Sequence, residues 1–280
     1  MKDAFPYQPQ QSINCRGTLL DLRTPQVMGI LNLTPDSFSD GAQFNNEKSA
    51  LQHAEKMVSE GASIIDIGAQ STRPKAERLP ATVEIERIGN TIALLKKEFP
   101  ATLISLDTFY ADVVRFGYDE GIDLVNDISG GYYDSEMLAT VASTGLPYVL
   151  MHVNNTYESM HNKTMEGDVL LTLNHYFSAK VAELRNLGVK DIILDPGFGF
   201  GKTVEQNHQL LQELSFVGFG QLPVLVGISR KSFIYKPLGK SPLDIVEETR
   251  QLHRLALKNG AKILRVHDVA EAVKVVNELF

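Results

Sequence analysis

Near the C-terminus, Arg265-Val-His-Asp268 follows the apolar run Ala261 to Leu264, so a guanidinium and an imidazole two residues apart leave a strand end on one face. Such a pair is suited to holding an anion. Four other segments share the layout of a short β-rich run ending in polar residues: Gly29-Ile-Leu-Asn32, Ile64-Ile-Asp-Ile67, Leu103-Ile-Ser-Leu-Asp107 and Ile192-Ile-Leu-Asp195. Polar groups collected at the C-terminal ends of successive buried strands predict one catalytic mouth on a (β/α)8 TIM barrel.

Asp107, Asn126 and Asp195 end or immediately follow three different strands, and barrel geometry would aim them into one pocket. Ionised carboxylates only accept hydrogen bonds, whereas an amide both donates and accepts, so the trio suits a heterocycle with an amino-amidine edge, such as guanine or pterin. The plainer reading is capping, with Asp107-Thr108 opening the helix that begins near Ala111. Asp195-Pro-Gly-Phe-Gly-Phe-Gly-Lys-Thr203 has the look of a phosphate loop, but Pro196 stands where that pattern needs its first glycine. Its glycines instead let backbone approach a ligand, while Phe198 and Phe200 could wall a flat aromatic one or simply pack internally.

Gly227-Ile-Ser-Arg-Lys-Ser-Phe233 follows the seventh strand with two cations and two hydroxyls, where barrels often bind phosphate, and Lys231 is placed against the ligand. In Ser71-Thr-Arg-Pro74, Pro74 restrains Arg73 toward an extended conformation suited to closing over a charged substrate. Asn32 offers a hard oxygen, and the loop behind it carries Asp36 and Asp40. One neutral oxygen plus a substrate diphosphate is a plausible Mg2+ site, because that ion keeps waters and shares substrate oxygens; Asn32 as a turn former is the alternative. His53, His161, His175 and His253 lack partners at ligand spacing and read as surface or packing residues, whereas His152 at the fifth strand end could line the pocket.

These groups need a scaffold, and from Val27 onward short β-rich runs alternate with amphipathic stretches at helical spacing. The strands expected are Val27–Leu31, Ser63–Ile67, Leu103–Leu106, Asp123–Asn126, Tyr148–Met151, Asp191–Leu194, Val224–Gly227 and Ile263–Val266. Between them the spacing predicts helices over Glu47–Glu60, Thr82–Glu98, Ala111–Glu120, Ser135–Ser143, Asp168–Asn186, Thr203–Leu214, Pro242–Asn259 and Ala270–Leu279. Gly61, Gly121, Gly145, Gly188 and Gly260 each precede a strand, where a left-handed helix cap needs no Cβ. Residues 1–26 form an N-terminal extension in which Ser12–Arg23 could make a hairpin closing the barrel floor, and 27–280 form the single barrel domain. A doubly wound sheet would need a glycine-rich loop after the first strand, and Asn32-Leu-Thr-Pro-Asp-Ser-Phe-Ser-Asp-Gly41 is not one.

A net charge of −7 disfavours nucleic acid or anionic membrane as partner, so an anionic substrate must be held by local cations. No apolar stretch suits a signal peptide or a membrane helix, which predicts a cytoplasmic protein. The single cysteine, Cys15, cannot form an internal disulfide and is expected to be inert.

Taken together and in order, Gly29 through Gly41, Ser71 through Pro74, Asp107-Thr108, Asn126-Asp-Ile-Ser-Gly-Gly131, Asp195 through Lys202, Ser229 through Ser232 and Arg265 through Asp268 resemble the dihydropteroate synthase family of pterin-binding TIM barrels. The resemblance implies a transferase of an alkyl group other than methyl, acting in folate biosynthesis. It would condense (7,8-dihydropterin-6-yl)methyl diphosphate with 4-aminobenzoate, by an SN1-like route with diphosphate as leaving group. By matching positions it implies pterin binding at Asp107, Asn126, Asp195 and Lys231, diphosphate binding at Asn32, Arg265 and His267, and Mg2+ at Asn32. It places Thr72, Pro74, Phe200 and Ser232 on the aminobenzoate side, and makes Asp36, Arg73, Lys231, Arg265 and His267 catalytic. A homodimer and a sulfonamide target are further implications. The chain departs from the family pattern at Ala69-Gln70, at Lys75, and in Met151-His-Val-Asn-Asn-Thr-Tyr157. Two other readings share the pocket: a methyltetrahydrofolate-binding methyltransferase domain, with no use for Arg265 and His267 as a diphosphate site, and a non-catalytic pterin-binding module.

Overall fold

The computed structural model describes residues 10–33, 43–70, 76–154, 156–157, 159–160 and 164–280. Among the described residues, ten strands form two sheets: an antiparallel pair, β1 (Ser12–Cys15) and β2 (Thr18–Asp21), and a closed parallel barrel. The barrel strands are β3 (Gln26–Asn32), β4 (Ile64–Gly68), β5 (Leu103–Asp107), β6 (Leu124–Asp127), β7 (Tyr148–Met151), β8 (Ile192–Asp195), β9 (Val224–Val226) and β10 (Ala261–Val266), with β10 closing onto β3. The architecture is the (β/α)8 barrel that the alternating pattern predicts.

Helices α1 (Gln43–Ser59), α2 (Ala81–Ile88), α3 (Thr91–Glu98), α4 (Ala111–Glu120), α5 (Met137–Thr144), α6 (Val169–Asn186), α7 (Val204–Gln212), α8 (Ser232–Tyr235), α9 (Val246–Lys258) and α10 (Val269–Leu279) connect the strands. The expected Thr82–Glu98 helix is two helices, because Gly89 turns to positive φ (47°) and its N–H closes back on the Ile85 carbonyl. Pro242–Leu243 is not helical either. There Ser241 and Asp244 close a turn, with Ser241 Oγ donating to the Asp244 carboxylate at 2.6 Å, and α9 starts at Val246. The five glycines expected before strands all have positive φ.

The hairpin fixes the floor. Arg16 (φ 52°) and Gly17 (φ 92°) form its tight turn, and the Asn14 amide oxygen accepts the Gly17 N–H at 2.7 Å. Ile13, Cys15, Leu20 and Leu22 then pack against Met28, Ile64, Leu103, Leu124, Val149, Ile193, Leu225 and Ile263, one residue from each barrel strand. This apolar layer seals the N-terminal end of the barrel. Burial there pushes the Cys15 thiol up to about 12, with the Asp123 and Asp191 charges adding to the effect, which agrees with an inert cysteine.

Leu22 is fully buried in that plug. Leu22→Ala is expected to cost about 3 kcal/mol of stability, read as a lower urea midpoint at unchanged slope; a midpoint equal to that of the unaltered chain would detach the hairpin from the barrel core.

Candidate active site

Side chains on a strand alternate, so the inward positions two residues above the apolar floor are Ile30, Asp66, Ser105, Asn126, Met151, Asp195, Gly227 and Arg265. The next step up holds Asn32, Gly68 and Asp107. Register confirms one rim: Asn32 pairs with Gly68, Gly68 with Asp107, and Asp107 with Asn126. The strand-end residues singled out from the sequence therefore share a single mouth at the C-terminal face.

Arg265 is the centre of that mouth. Its Nε donates to Asp66 Oδ2 at 2.6 Å and its Nη2 to Asp107 Oδ2 at 2.6 Å. Asp66, wholly buried, also accepts from Ser105 Oγ at 2.5 Å and Asn126 Nδ2 at 3.0 Å. Burial opposes the charge on Arg265, but the two carboxylates outweigh it and hold its pKa above the usual range. Burial likewise pushes Asp107 up, with Asp66 and Asp127 adding to the rise and Arg265 opposing it. The charged guanidinium 2.6 Å away favours the carboxylate form of Asp107 against that rise. Asp107 does not cap the following helix: Asp134 accepts the Ala111 N–H at 2.8 Å instead. Asp127, next to Asn126, takes the turn-forming role, accepting the Ser129 and Gly131 N–H groups and the Tyr148 hydroxyl.

On the opposite wall Asp195 Oδ1 accepts the Gly197 N–H at 2.7 Å, which leaves the other carboxylate oxygen for a ligand. Burial raises the Asp195 pKa, while the Gly197 N–H and then the Lys231, Arg265 and Lys202 charges lower it. The two phenylalanines of the following loop part company. Phe198 is stacked on Phe233 in the barrel-to-helix core, so it walls no ligand, whereas Phe200 joins a cluster with Phe109, Ile128, Met151, Tyr157 and Met160 at the mouth. Lys231 Nζ sits 4.0 Å from the Phe200 ring centre, a cation–π contact. Burial and the Arg265 charge pull the Lys231 pKa down to about 8, against the pull of Asp195 and Asp107.

His267 lies beside the neighbouring loop, its Nδ1 3.1 Å from Ser229 Oγ. Burial, then Arg230 and Arg265, push it down to about 3, so it is a neutral hydrogen-bonding imidazole rather than a second cation. Arg230, in the left-handed region (φ 58°), reaches Asp268 at 2.7 Å and ties the two loops together. Ser232 opens α8 directly after Lys231, and Asn32 is half-buried at the end of β3. Asp36, Thr72, Arg73 and Pro74, with Asp40, Lys75 and His161, lie outside the described residues. Gln70, a departure from the family pattern, exchanges two hydrogen bonds with the Leu79 backbone (3.1 and 3.4 Å) and so clasps the stem of the second loop. His152 is not a pocket wall: it packs edge-on to Tyr176, and its Nδ1 lies 3.1 Å from Lys202 Nζ.

The family model described as pterin binding enzyme matches residues 28–267. The chain belongs to the dihydropteroate synthase family of pterin-binding enzymes. A dihydropteroate synthase of Synechocystis is 46% identical over 260 residues, covering 91% of this chain and 90% of the relative. The Yersinia pestis dihydropteroate synthase solved with a sulfonamide drug superimposes with a TM-score of 0.89 at 40% identity, over 95% of this chain and 97% of that one. The Xanthomonas albilineans enzyme solved with 4-aminobenzoic acid gives 0.88 at 35% identity, over 96% of each.

Asp66, which pairs with Arg265, and Lys202, buried under the loop after β8, are the charged residues at the site that sequence reasoning did not single out. Asp66 was visible only as a carboxylate flanked by isoleucines inside a strand, and Lys202 only as the end of a failed phosphate-loop pattern. A charged residue in an otherwise apolar strand is the one local signal that the sequence offers for Asp66.

The two buried aspartates should fail differently. Asp66→Asn leaves Arg265 short of a countercharge and is expected to cost roughly 3–5 kcal/mol in denaturant unfolding. Asp195→Asn should instead keep the fold and abolish pterin binding measured by calorimetry, because a donor would face a donor. Matching stability losses in the two variants would contradict the separation. A second test concerns pH: with Lys231 needed as an ammonium, kcat/KM for the pterin substrate should fall as pH rises through about 8, and Lys231→Arg should push that limb beyond the alkaline range. An alkaline limb that stays near 8 in Lys231→Arg assigns the titration to another group.

Proposed function

We infer that this chain is a dihydropteroate synthase, condensing (7,8-dihydropterin-6-yl)methyl diphosphate with 4-aminobenzoate to give 7,8-dihydropteroate and diphosphate in folate biosynthesis. The observation that carries the reading is the open carboxylate oxygen of Asp195 in the same mouth as Asp107, Asn126 and Lys231. A carboxylate accepting from a ring N–H and an exocyclic amine, opposed by an amide and an ammonium, matches the donor and acceptor edges of a pterin.

The chemistry asks the protein for charge placement and not for a nucleophile. Breaking the C–O bond sends its electron pair to diphosphate and leaves a methyl cation delocalised into the pterin ring. The aminobenzoate nitrogen, uncharged at neutral pH, then forms the new C–N bond and loses a proton. Arg265 has two of its N–H groups committed to Asp66 and Asp107, leaving donors for the leaving group, and the neutral His267 adds a hydrogen bond without further charge. Phe200 and Ser232 form the aminobenzoate side, with Lys231 held against the Phe200 ring. Asp36, Thr72, Arg73 and Pro74 are assigned to closing that side by resemblance.

Mg2+ fits the donor set. Asn32 contributes a neutral amide oxygen at the rim, and among the described residues no three His, Cys, Asp or Glu side chains form a metal cage, so the other ligands would come from diphosphate and water. When bound, the ion would neutralise charge developing on the leaving diphosphate. The same reading carries a homodimer in the cytoplasm, with no nucleic-acid or membrane partner. No helix among the described residues is long and apolar enough to cross a membrane. Because the Yersinia pestis relative was solved with a sulfonamide, we assign this chain as a sulfonamide target too.

The test is diphosphate release from the dihydropterin diphosphate, with dihydropteroate followed by chromatography. Product is expected only when aminobenzoate and Mg2+ are both present; tight pterin binding with no product would sink the synthase and leave a pterin-binding module.

A further inference from the structure

Lys202 is a buried cation with no ion pair among the described residues. Its Nζ lies 2.9 Å from the Gly197 carbonyl oxygen, 3.2 Å from that of Phe200, and 3.1 Å from His152 Nδ1. With the His152 carbonyl oxygen at 3.5 Å, four neutral acceptors surround the ammonium, and because burial drives the His152 pKa down to about 2 its ring is neutral and can accept at Nδ1 from a group that only donates. Burial, partly offset by Asp195, also brings the Lys202 pKa down to about 7, the cost of keeping a charge where a methionine would pack. A group retained at such a cost warrants a role.

The loop itself shows what that role is. Gly197, Gly199 and Gly201 all have positive φ (67°, 79° and 59°), so the chain coils and turns carbonyls inward toward one point, and Lys202 Nζ occupies that point. Gly197 lies so close to His152 that a Cβ there would meet its carbonyl oxygen at 2.1 Å, which presses the loop onto the end of β7. The far side is held too: Asn207 accepts the Gly199 N–H at 2.8 Å and donates to the Lys202 carbonyl at 3.2 Å. At one end of the coil the Gly197 N–H holds Asp195 Oδ1, and at the other the Phe200 ring meets Lys231.

We infer that Lys202 is a positioning residue, the internal cation around which the loop after β8 folds, and that it sets the pterin anchor Asp195 and the aminobenzoate wall Phe200 together. The inference rests on the synthase reading for the identity of the two ligands, and on the loop geometry alone for the coupling between them.

The decisive variant is Lys202→Ala, assayed with and without n-propylammonium, which replaces the deleted side chain, and with n-propanol at equal concentration as the uncharged control. Pterin affinity is read by calorimetry without turnover, and aminobenzoate KM by product formation. Expected is a loss of about tenfold or more in both, with the alkylammonium restoring both and the alcohol neither. Constants within about twofold of the unaltered chain, or equal restoration by the alcohol, would overturn the assignment. Should the alanine variant not fold or not take up the amine, His152→Leu decides. It removes one acceptor and leaves the cation, and should raise aminobenzoate KM severalfold; an unmoved KM overturns the assignment. An unaltered chain that binds pterin yet forms no product defeats the synthase reading instead, and the pterin affinities of the same variants then judge the loop.

Discussion

A guanidinium buried between two carboxylates is the constraint on which the site depends. Arg265 is held in the barrel by Asp66 and Asp107, and Asp66, at zero exposure, is satisfied by Arg265, Ser105 and Asn126 around it. Five side chains from four strands, β4, β5, β6 and β10, are locked by mutual need. The result is a preset positive centre with fixed orientation, which is what a departing polyanion requires and what a flexible surface lysine could not offer.

That charge cluster is tolerable because of what lies under it. The barrel-facing side of the hairpin and the lowest inward layer are apolar, so polarity rises in steps along the barrel axis: apolar floor, then Asp66 with Arg265, then the rim of Asn32, Gly68 and Asp107. Strand periodicity of two produces these steps, each set of inward side chains from successive strands lying close to one level.

How legible this was depended on whether a residue's role is local. Strand ends could be read because a β-rich run followed by Asp, Asn or Arg is a pattern within a few residues, and Asp107, Asn126, Asp195 and Arg265 all lie where that pattern puts them. The role of Asp66 is set by register with strands far away in sequence, and no local pattern holds that information. The two phenylalanines at 198 and 200 were indistinguishable by type and spacing; the turn at Gly199 and the packing of Phe233 sent one to the core and the other to the mouth. Gly89 was a weak signal inside a continuous amphipathic pattern, so the break between α2 and α3 went unread.

The sealed floor also governs traffic. With Ile13, Cys15, Leu20 and Leu22 stopping the N-terminal end, the barrel is a blind well with one doorway. A ligand that bound deepest would enter first and leave last, so one seated at Asp195 and Asn126 would lie below a second molecule standing against Phe200. Order of arrival would thus follow from depth below the one rim, the opposite end being stopped by four apolar side chains.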